Sequence, residues 1–384
     1  MNKVYLDNAA TTMVSKEVLE SMMPYYMDYY GNPGSLHDMG SEAKRAVDNA
    51  REIVGEFMGC DPDHVIFTSG GSEANSIVIS GFTGSNPKMY TRVEHPSVIK
   101  AMESKHGAMS AWPLPVHEDG TVFTVGLEDA MRKHKVDFLA AMWVNNEIGS
   151  INDISYLADV CKNNNVWLHT DCVQAAGGIK LKAQNTGVSS MSISSHKIHG
   201  PKGVGALYVR DFSKMNGFIF GGQEHGIRGG TENVPGIVGF AKACEICMRD
   251  FDSNVEKIRS NKMRFVNAIK YYAKKNSIED RLRFNSPENG ESKIINFRIK
   301  GVDAQTLLMT LNGYGIYASA ASACKSREMT PSHVLKAIGL SDEEAYSSVR
   351  FSLSRYTTPE EIEYAAKSVI DNSTKLLAFL ANGG

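Results

Sequence analysis

The chain has 384 residues, with 41 basic and 43 acidic side chains and a formal net charge of −2. That balance gives no electrostatic pull toward nucleic acid or an anionic membrane surface, so neither is an expected partner. No apolar run approaches a membrane span, residues 1–12 lack the apolar core of a signal peptide, and the length predicts two or three domains. Six cysteines stand at positions 60, 161, 172, 244, 247 and 324. Their spacing is that of neither a disulfide framework nor a zinc site, which predicts reduced thiols, no metal and a cytoplasmic location. Cys244 and Cys247 read as one packed face of a helix.

In chain order, the apolar run 4–6 leads into Asp7-Asn8-Ala9-Ala10-Thr11-Thr12, a loop of small residues expected against something tightly packed. Residues 31–35 form a second turn-rich loop. Ser41 is placed to cap a helix with apolar positions at Ala43, Val47, Ala50, Val54 and Phe57, closed by Gly59. Strands are expected at 64–68, 89–93, 137–144, 166–170, 191–194 and 205–209. Helices at 73–82, 97–104, 127–134 and 154–163 alternate with them. That rhythm predicts an α/β fold with a mostly parallel sheet covered on both faces. From about Phe251 the character changes. Val255, Ile258, Phe265, Ile269 and Tyr272 mark a long amphipathic helix, and strands follow at 294–299, 315–318 and 349–353. Thr358 and Glu361 form a capping box around Pro359 that opens a helix to about Leu380. The expected division is a large domain over 14–250 and a smaller α+β domain from 1–13 and 251–384.

The chemistry-bearing residues fall at strand ends, where open α/β sheets bind ligands. The first βα junction is Ser69-Gly70-Gly71-Ser72, whose backbone N–H groups suit a phosphate, although any tight βα turn looks similar. His95 follows the next strand; a lone histidine before proline is usually structural, but its ring also suits stacking on a planar group. Asn146 follows the third. Asp171 ends the fourth, with Gln174 three residues on; alone it would read as a helix cap, yet a buried carboxylate needs a partner. Ser194, His196 and Lys197 close the fifth. A lone turn lysine is ordinarily solvated, whereas one desolvated at a strand end becomes an amine nucleophile. Together these ends supply what is needed to hold pyridoxal phosphate.

Nearly the whole chain, from 5–12 to 350–353, resembles the class V, fold-type I pyridoxal-phosphate enzymes, and within them the cysteine desulfurases of the NifS/IscS type. The resemblance rests most on Ser194-Ser195-His196-Lys197 with Gly200-Pro201-Lys202-Gly203, and on Ser322-Ala323-Cys324 followed by Pro331-Ser332-His333. It implies pyridoxal 5'-phosphate bound to Lys197. Asp171 then faces the pyridine nitrogen, His95 stacks on the ring, and Asn146 and Gln174 make ring contacts. Gly71, Ser72, Ser194 and His196 take the phosphate side. It further implies a homodimer in which Thr231 acts across the interface. Arg350 would bind the substrate carboxylate, with Asn146 beside it. Cys324, on a loop, would take the sulfur of L-cysteine as a persulfide for a sulfur-acceptor protein in iron–sulfur cluster assembly or thiolation. The chain departs from the family pattern at Ser72, Ser76, Ala321 and His225. On this reading it is also expected to lack the C-terminal extension that some members use to dock a scaffold, which leaves the acceptor open. Selenocysteine lyase or aminotransferase chemistry would share the cofactor residues, and Cys324 argues against both. A non-catalytic scaffold would not need Lys197, Asp171, His95 and Arg350 together.

Overall fold

The computed structural model describes residues 3–106, 110–287, 293–320 and 330–381. Cys324 and Ala321 lie outside the described residues. Strand β1 (Val4–Tyr5) opens the chain. Then come β2 (Val65–Thr68), β3 (Lys88–Thr91), β4 (Ala111–Leu114), β5 (Phe138–Ala140), β6 (Trp167–Asp171), β7 (Ser190–Ser194) and β8 (Gly205–Val209). These seven form one sheet in the order β2-β8-β7-β6-β5-β3-β4. All run parallel except β8, which is antiparallel to both neighbours.

Side chains alternate across this sheet, so it carries a core on each face. Leu139, Leu168 and Ile193 join Val47, Val54 and Phe240 on one side. Phe138, Ala140, Trp167 and Leu207 join Ile77 and Val78 on the other, beneath the helices Gly71–Gly81 and Pro96–His106. Cys244 and Cys247 are both buried in the helix Val234–Arg249, consistent with a packed face.

A second sheet has the order β12-β13-β10-β9 and is antiparallel throughout. Its strands are β9 (Leu282–Phe284), β10 (Ile294–Ile299), β12 (Ser319–Ala320) and β13 (Ser348–Ser352); β11 (Ile316–Tyr317) instead pairs with β1. Phe265, Ile269, Phe297, Phe351, Ile362 and Val369 fill the core between this sheet and the helices Phe251–Lys275 and Pro359–Ala381. The Phe297 and Phe351 rings stack with centroids 5.6 Å apart. The capping box forms: Thr358 N–H donates to Glu361 Oε2 at 2.8 Å, and Glu361 N–H to Thr358 Oγ1 at 3.3 Å. Val4 and Leu6 belong to this core, so the N-terminal segment starts here and then crosses to the larger sheet. Among the described residues no helix is long and apolar enough to cross a membrane.

Some local expectations are corrected. Ser41 does not cap its helix. The helix runs Asp38–Met58, and His37 caps it by accepting the Gly40 N–H at 3.2 Å. Gly40 is inside because a Cβ there would lie 2.3 Å from the Ser35 oxygen. Gly59 does end the helix, at φ 68°. Strand β4 was not foreseen because it contains Pro113, which an edge strand tolerates. The ladder expected over 137–144 is only the three residues of β5, although Ala141 and Trp143 still donate to His169 and Asp171. Of residues 315–318, expected as one strand, only Ile316 and Tyr317 form β11, and β12 follows at Ser319–Ala320 in a different sheet.

Candidate functional site

A cavity of about 390 Å³ opens at the C-terminal ends of the parallel strands. Gly71, Ser72, His95, Asn146, Asp171, Gln174, Ser194, His196, Lys197 and Arg350 all line it. Thr231 does not; it is exposed.

The chain leaves β7 in a single 3-10 turn, Ser195–Lys197, that tips Lys197 into the cavity. Gly200 lets the turn close, since a Cβ there would sit 2.0 Å from Ser195 Oγ. Lys197 Nζ donates to the oxygens of Ala9 and Ala10, at 2.5 and 2.8 Å. Among the described residues no carboxylate forms an ion pair with it. Burial, then the charges of Lys293 and Arg350, pull its amine down to about 7. A large share is therefore unprotonated at neutral pH, which makes it a usable nucleophile and base.

The phosphate-like end is the N-terminus of the Gly71–Gly81 helix, which no side chain caps. Its N–H groups and dipole favour an anion. The backbone is brought in closely: a Cβ on Gly71 would lie 2.6 Å from Val173 Cγ2, and one on Gly205 would lie 2.8 Å from Gly70 Cα. His196 contacts Thr11 Oγ1 through Nδ1 at 3.1 Å. Burial, aided by Lys197, Lys202 and Lys293, lowers its pKa to about 4, so the ring is neutral.

Asp171 caps no helix. Its Oδ1 accepts the Val173 N–H at 2.9 Å and its Oδ2 accepts Asn75 Nδ2 at 2.8 Å. Among the described residues Asn146 Oδ1 and Gln174 Oε1 are buried and find no hydrogen-bond partner, while Gln174 Nε2 donates to the Ala9 oxygen. Unsatisfied oxygens of this kind are costly in a native core and mark a place where a bound group belongs. Arg350 donates from Nη1 to the Asn146 oxygen and from Nη2 to Asp7 Oδ1, both at 2.9 Å, and its buried Nε finds no partner among the described residues. Burial also lowers the pKa of His95.

Sequence reasoning missed Asn75, Asp7 and the Ala9 and Ala10 carbonyls. Asn75 carried a signal: it is a polar residue one turn after Gly71, among the apolar positions Ala74, Ile77 and Val78. The other three act through backbone or over long chain separations and carried none.

Comparison with known proteins shows the family of the chain. The Aminotransferase class-V family matches residues 4–365. Cysteine desulfurase IscS of Clostridium botulinum is 37% identical over 376 residues, covering 95% of this chain and 93% of that protein. A solved NifS-like protein superposes with a TM-score of 0.87 at 31% identity, covering 98% of this chain and all of the other. A structure described as SspA in complex with cysteine superposes with a TM-score of 0.77 at 30% identity, covering 93% of this chain and all of the other. The chain therefore belongs to the class-V aminotransferases and, within them, to the pyridoxal-phosphate-dependent cysteine desulfurases.

Proposed function

We propose that this chain converts L-cysteine to L-alanine with pyridoxal 5'-phosphate and leaves the sulfur as a persulfide on Cys324 for an acceptor protein. One observation carries the reading. An amine lowered to about 7 at Lys197 shares a cavity with the Asp171 carboxylate and with two buried, unpartnered oxygens, on Asn146 and Gln174. A structural relative is described in complex with cysteine, which supports the choice of substrate.

These residues fit the cofactor. Lys197 would hold it, Asp171 would meet its ring nitrogen, and His95 would cover its face. Asn146 and Gln174 would contact the ring. Gly71, Ser72, Ser194 and His196 would take the phosphate, with Thr231 from a second copy of the chain completing that end of a homodimer. When bound, the cofactor supplies a carbonyl that captures the substrate amine and a ring that withdraws electrons from Cα.

The protein side chains do the rest. Arg350 binds the substrate carboxylate, helped by Asn146 beside it. Lys197 Nζ takes the proton from the substrate Cα and returns one to Cα after the sulfur has left. His95 relays a proton near the substrate sulfur. The Cys324 thiolate attacks that sulfur: an S–S bond forms, the Cβ–S bond breaks, and its electron pair goes to Cβ, which takes a proton to become the methyl of alanine. The proposed acceptor serves iron–sulfur cluster assembly or thiolation, and the proposed location is the cytoplasm. The proposed domains are 14–250 and, for the Cys324 side, 1–13 with 251–384.

Cys324→Ala tests the reading. The variant should bind the cofactor and L-cysteine, while alanine release falls by several orders of magnitude, as for loss of a covalent nucleophile. Alanine production at the wild-type rate would overturn the mechanism. Trapping wild-type protein after a single turnover should place the extra sulfur on Cys324.

A further inference from the structure

Beneath Asp171 lies a buried chain of hydrogen bonds that the mechanism above does not use. Asn75 is its hub and is 1% exposed. Its Nδ2 lies 2.8 Å from Asp171 Oδ2 and 3.0 Å from Ser97 Oγ. Its Oδ1 lies 2.6 Å from Ser192 Oγ and 3.0 Å from His169 Nε2. His169 Nδ1 meets Ser190 Oγ at 3.0 Å, and Ser190 Oγ meets Trp167 Nε1 at 2.9 Å. At the other end His95 Nδ1 lies 2.8 Å from Ser97 Oγ and 3.1 Å from the Ser97 N–H.

The donors in this chain can be assigned from the groups that have no choice. Trp167 Nε1 only donates, so Ser190 Oγ accepts there and gives its own proton to His169 Nδ1. The Asp171 carboxylate only accepts, which orients the Asn75 amide with Nδ2 toward it and Oδ1 toward His169. His169 must then donate from Nε2. Its pKa, held down to about 3 by burial, agrees with a neutral ring. The second Nδ2 proton of Asn75 goes to Ser97 Oγ, which leaves the Ser97 hydroxyl proton for His95 Nδ1. The Ser97 backbone N–H points at the same nitrogen. His95 Nδ1 is therefore bare. Burial also disfavours the charged ring, so the single proton of His95 sits on Nε2, the nitrogen left for a ligand in the cavity.

We infer that Asn75 is a positioning residue. Through Ser97 it fixes the tautomer of His95, so that the resting enzyme presents an Nε2–H donor, not a base, to the substrate sulfur. This rests on the desulfurase reading for the identity of the ligand. It sharpens the role of His95: the relay starts from the donor side. His95 donates an Nε2–H hydrogen bond to the substrate sulfur, and the substrate thiol keeps its own proton, which the sulfur carries into the persulfide when Cys324 attacks. The same amide holds Asp171, so one side chain aligns two of the groups that would face the cofactor.

The test is nitrogen NMR of the cofactor-loaded protein labelled with 15N-histidine, with the His95 signals assigned by their loss in His95→Gln. Wild type should show a bare Nδ1 and a protonated Nε2 at His95. Ser97→Ala and Asn75→Leu leave the Ser97 backbone N–H as the remaining donor to Nδ1, so the fixed form should weaken toward a tautomer mixture, whereas Ser97→Thr should keep it. Ser97→Ala should also lower kcat by about tenfold or more with a smaller change in KM, a fraction of what a positioned acid or base supplies. If Asn75→Leu does not fold, Ser97→Ala carries the test. A wild-type proton on Nδ1, or an unchanged tautomer in Ser97→Ala, overturns the inference. The tautomer is read whether or not cysteine is turned over, so its failure is separate from failure of the desulfurase reading.

Discussion

Lys293 donates from Nζ to the main-chain oxygen of Lys197 at 3.2 Å. One lysine thus carries its ammonium against the backbone of another whose amine must lose its proton to act. After burial, the Lys293 charge is the largest influence lowering the Lys197 pKa. Lys293→Met should therefore raise that pKa, by on the order of one unit for a single charge at this kind of range. The measurement is the pH dependence with which cofactor-free protein captures pyridoxal phosphate, read as borohydride-fixed label on Lys197. The profile should move to higher pH, and an unshifted profile would mean the charge is not felt.

Glu94 gives a stability prediction. Its carboxyl is fully buried, and burial raises its pKa to about 8. A group whose folded pKa is raised stabilises the fold below its unfolded value, near 4.5, and that contribution is lost as pH rises through about 8. Wild-type Tm should thus fall between these limits more steeply than that of Glu94→Gln, with the variant the more stable of the two above pH 8. Parallel Tm curves would show that Glu94 does not titrate in this window.

The cradle at the Gly71 helix predicts a compensated pair. Gly71→Ala places a Cβ 2.6 Å from Val173 Cγ2, so something must shift at the phosphate-binding end. Cofactor affinity should drop by about tenfold, or 1.4 kcal/mol. Adding Val173→Ala removes the obstructing methyl and should recover most of the loss. Equal affinities for wild type and Gly71→Ala, by titration of the cofactor-free protein, would remove Gly71 from the site.

Thr231 is exposed in the chain and absent from the cavity wall. If a second copy brings it to the phosphate, mixing Lys197→Ala with Thr231→Ala subunits should restore activity that neither has alone. The mixed dimer then holds one site with both residues intact. Mixtures that stay inactive after subunit exchange would argue against a shared site.

The βα rhythm was legible because it is written in local patterns. Short, largely apolar stretches at 89–93, 138–144 and 166–170, and the alternating run 191–194, lead into polar residues, and those ends converge because parallel strands share a direction. Hence Asp171, Asn146, His95 and Lys197 could be named from the sequence. The capping box at Thr358 and the αL stop at Gly59 are local for the same reason. Local rules failed where an interaction was distant. Ser41 has a cap's chemistry but not its place, because Ser35 and Gly40 pack together and move the helix start to Asp38. Cys324 lies outside the described residues, and its role rests on the sequence resemblance alone.

The sequence by itself therefore determined which residue types stand at which strand ends, and through them the family chemistry. Only the tertiary structure decided how those residues are charged and held. It brought the Ala9 and Ala10 oxygens onto Lys197 and set Asp7 on Arg350, 343 positions away. It placed Lys293 behind Lys197 and drew Asn75 beneath Asp171. Burial and the proximity of distant charges set a pKa or a tautomer, and neither is encoded in the spacing of residues along a chain.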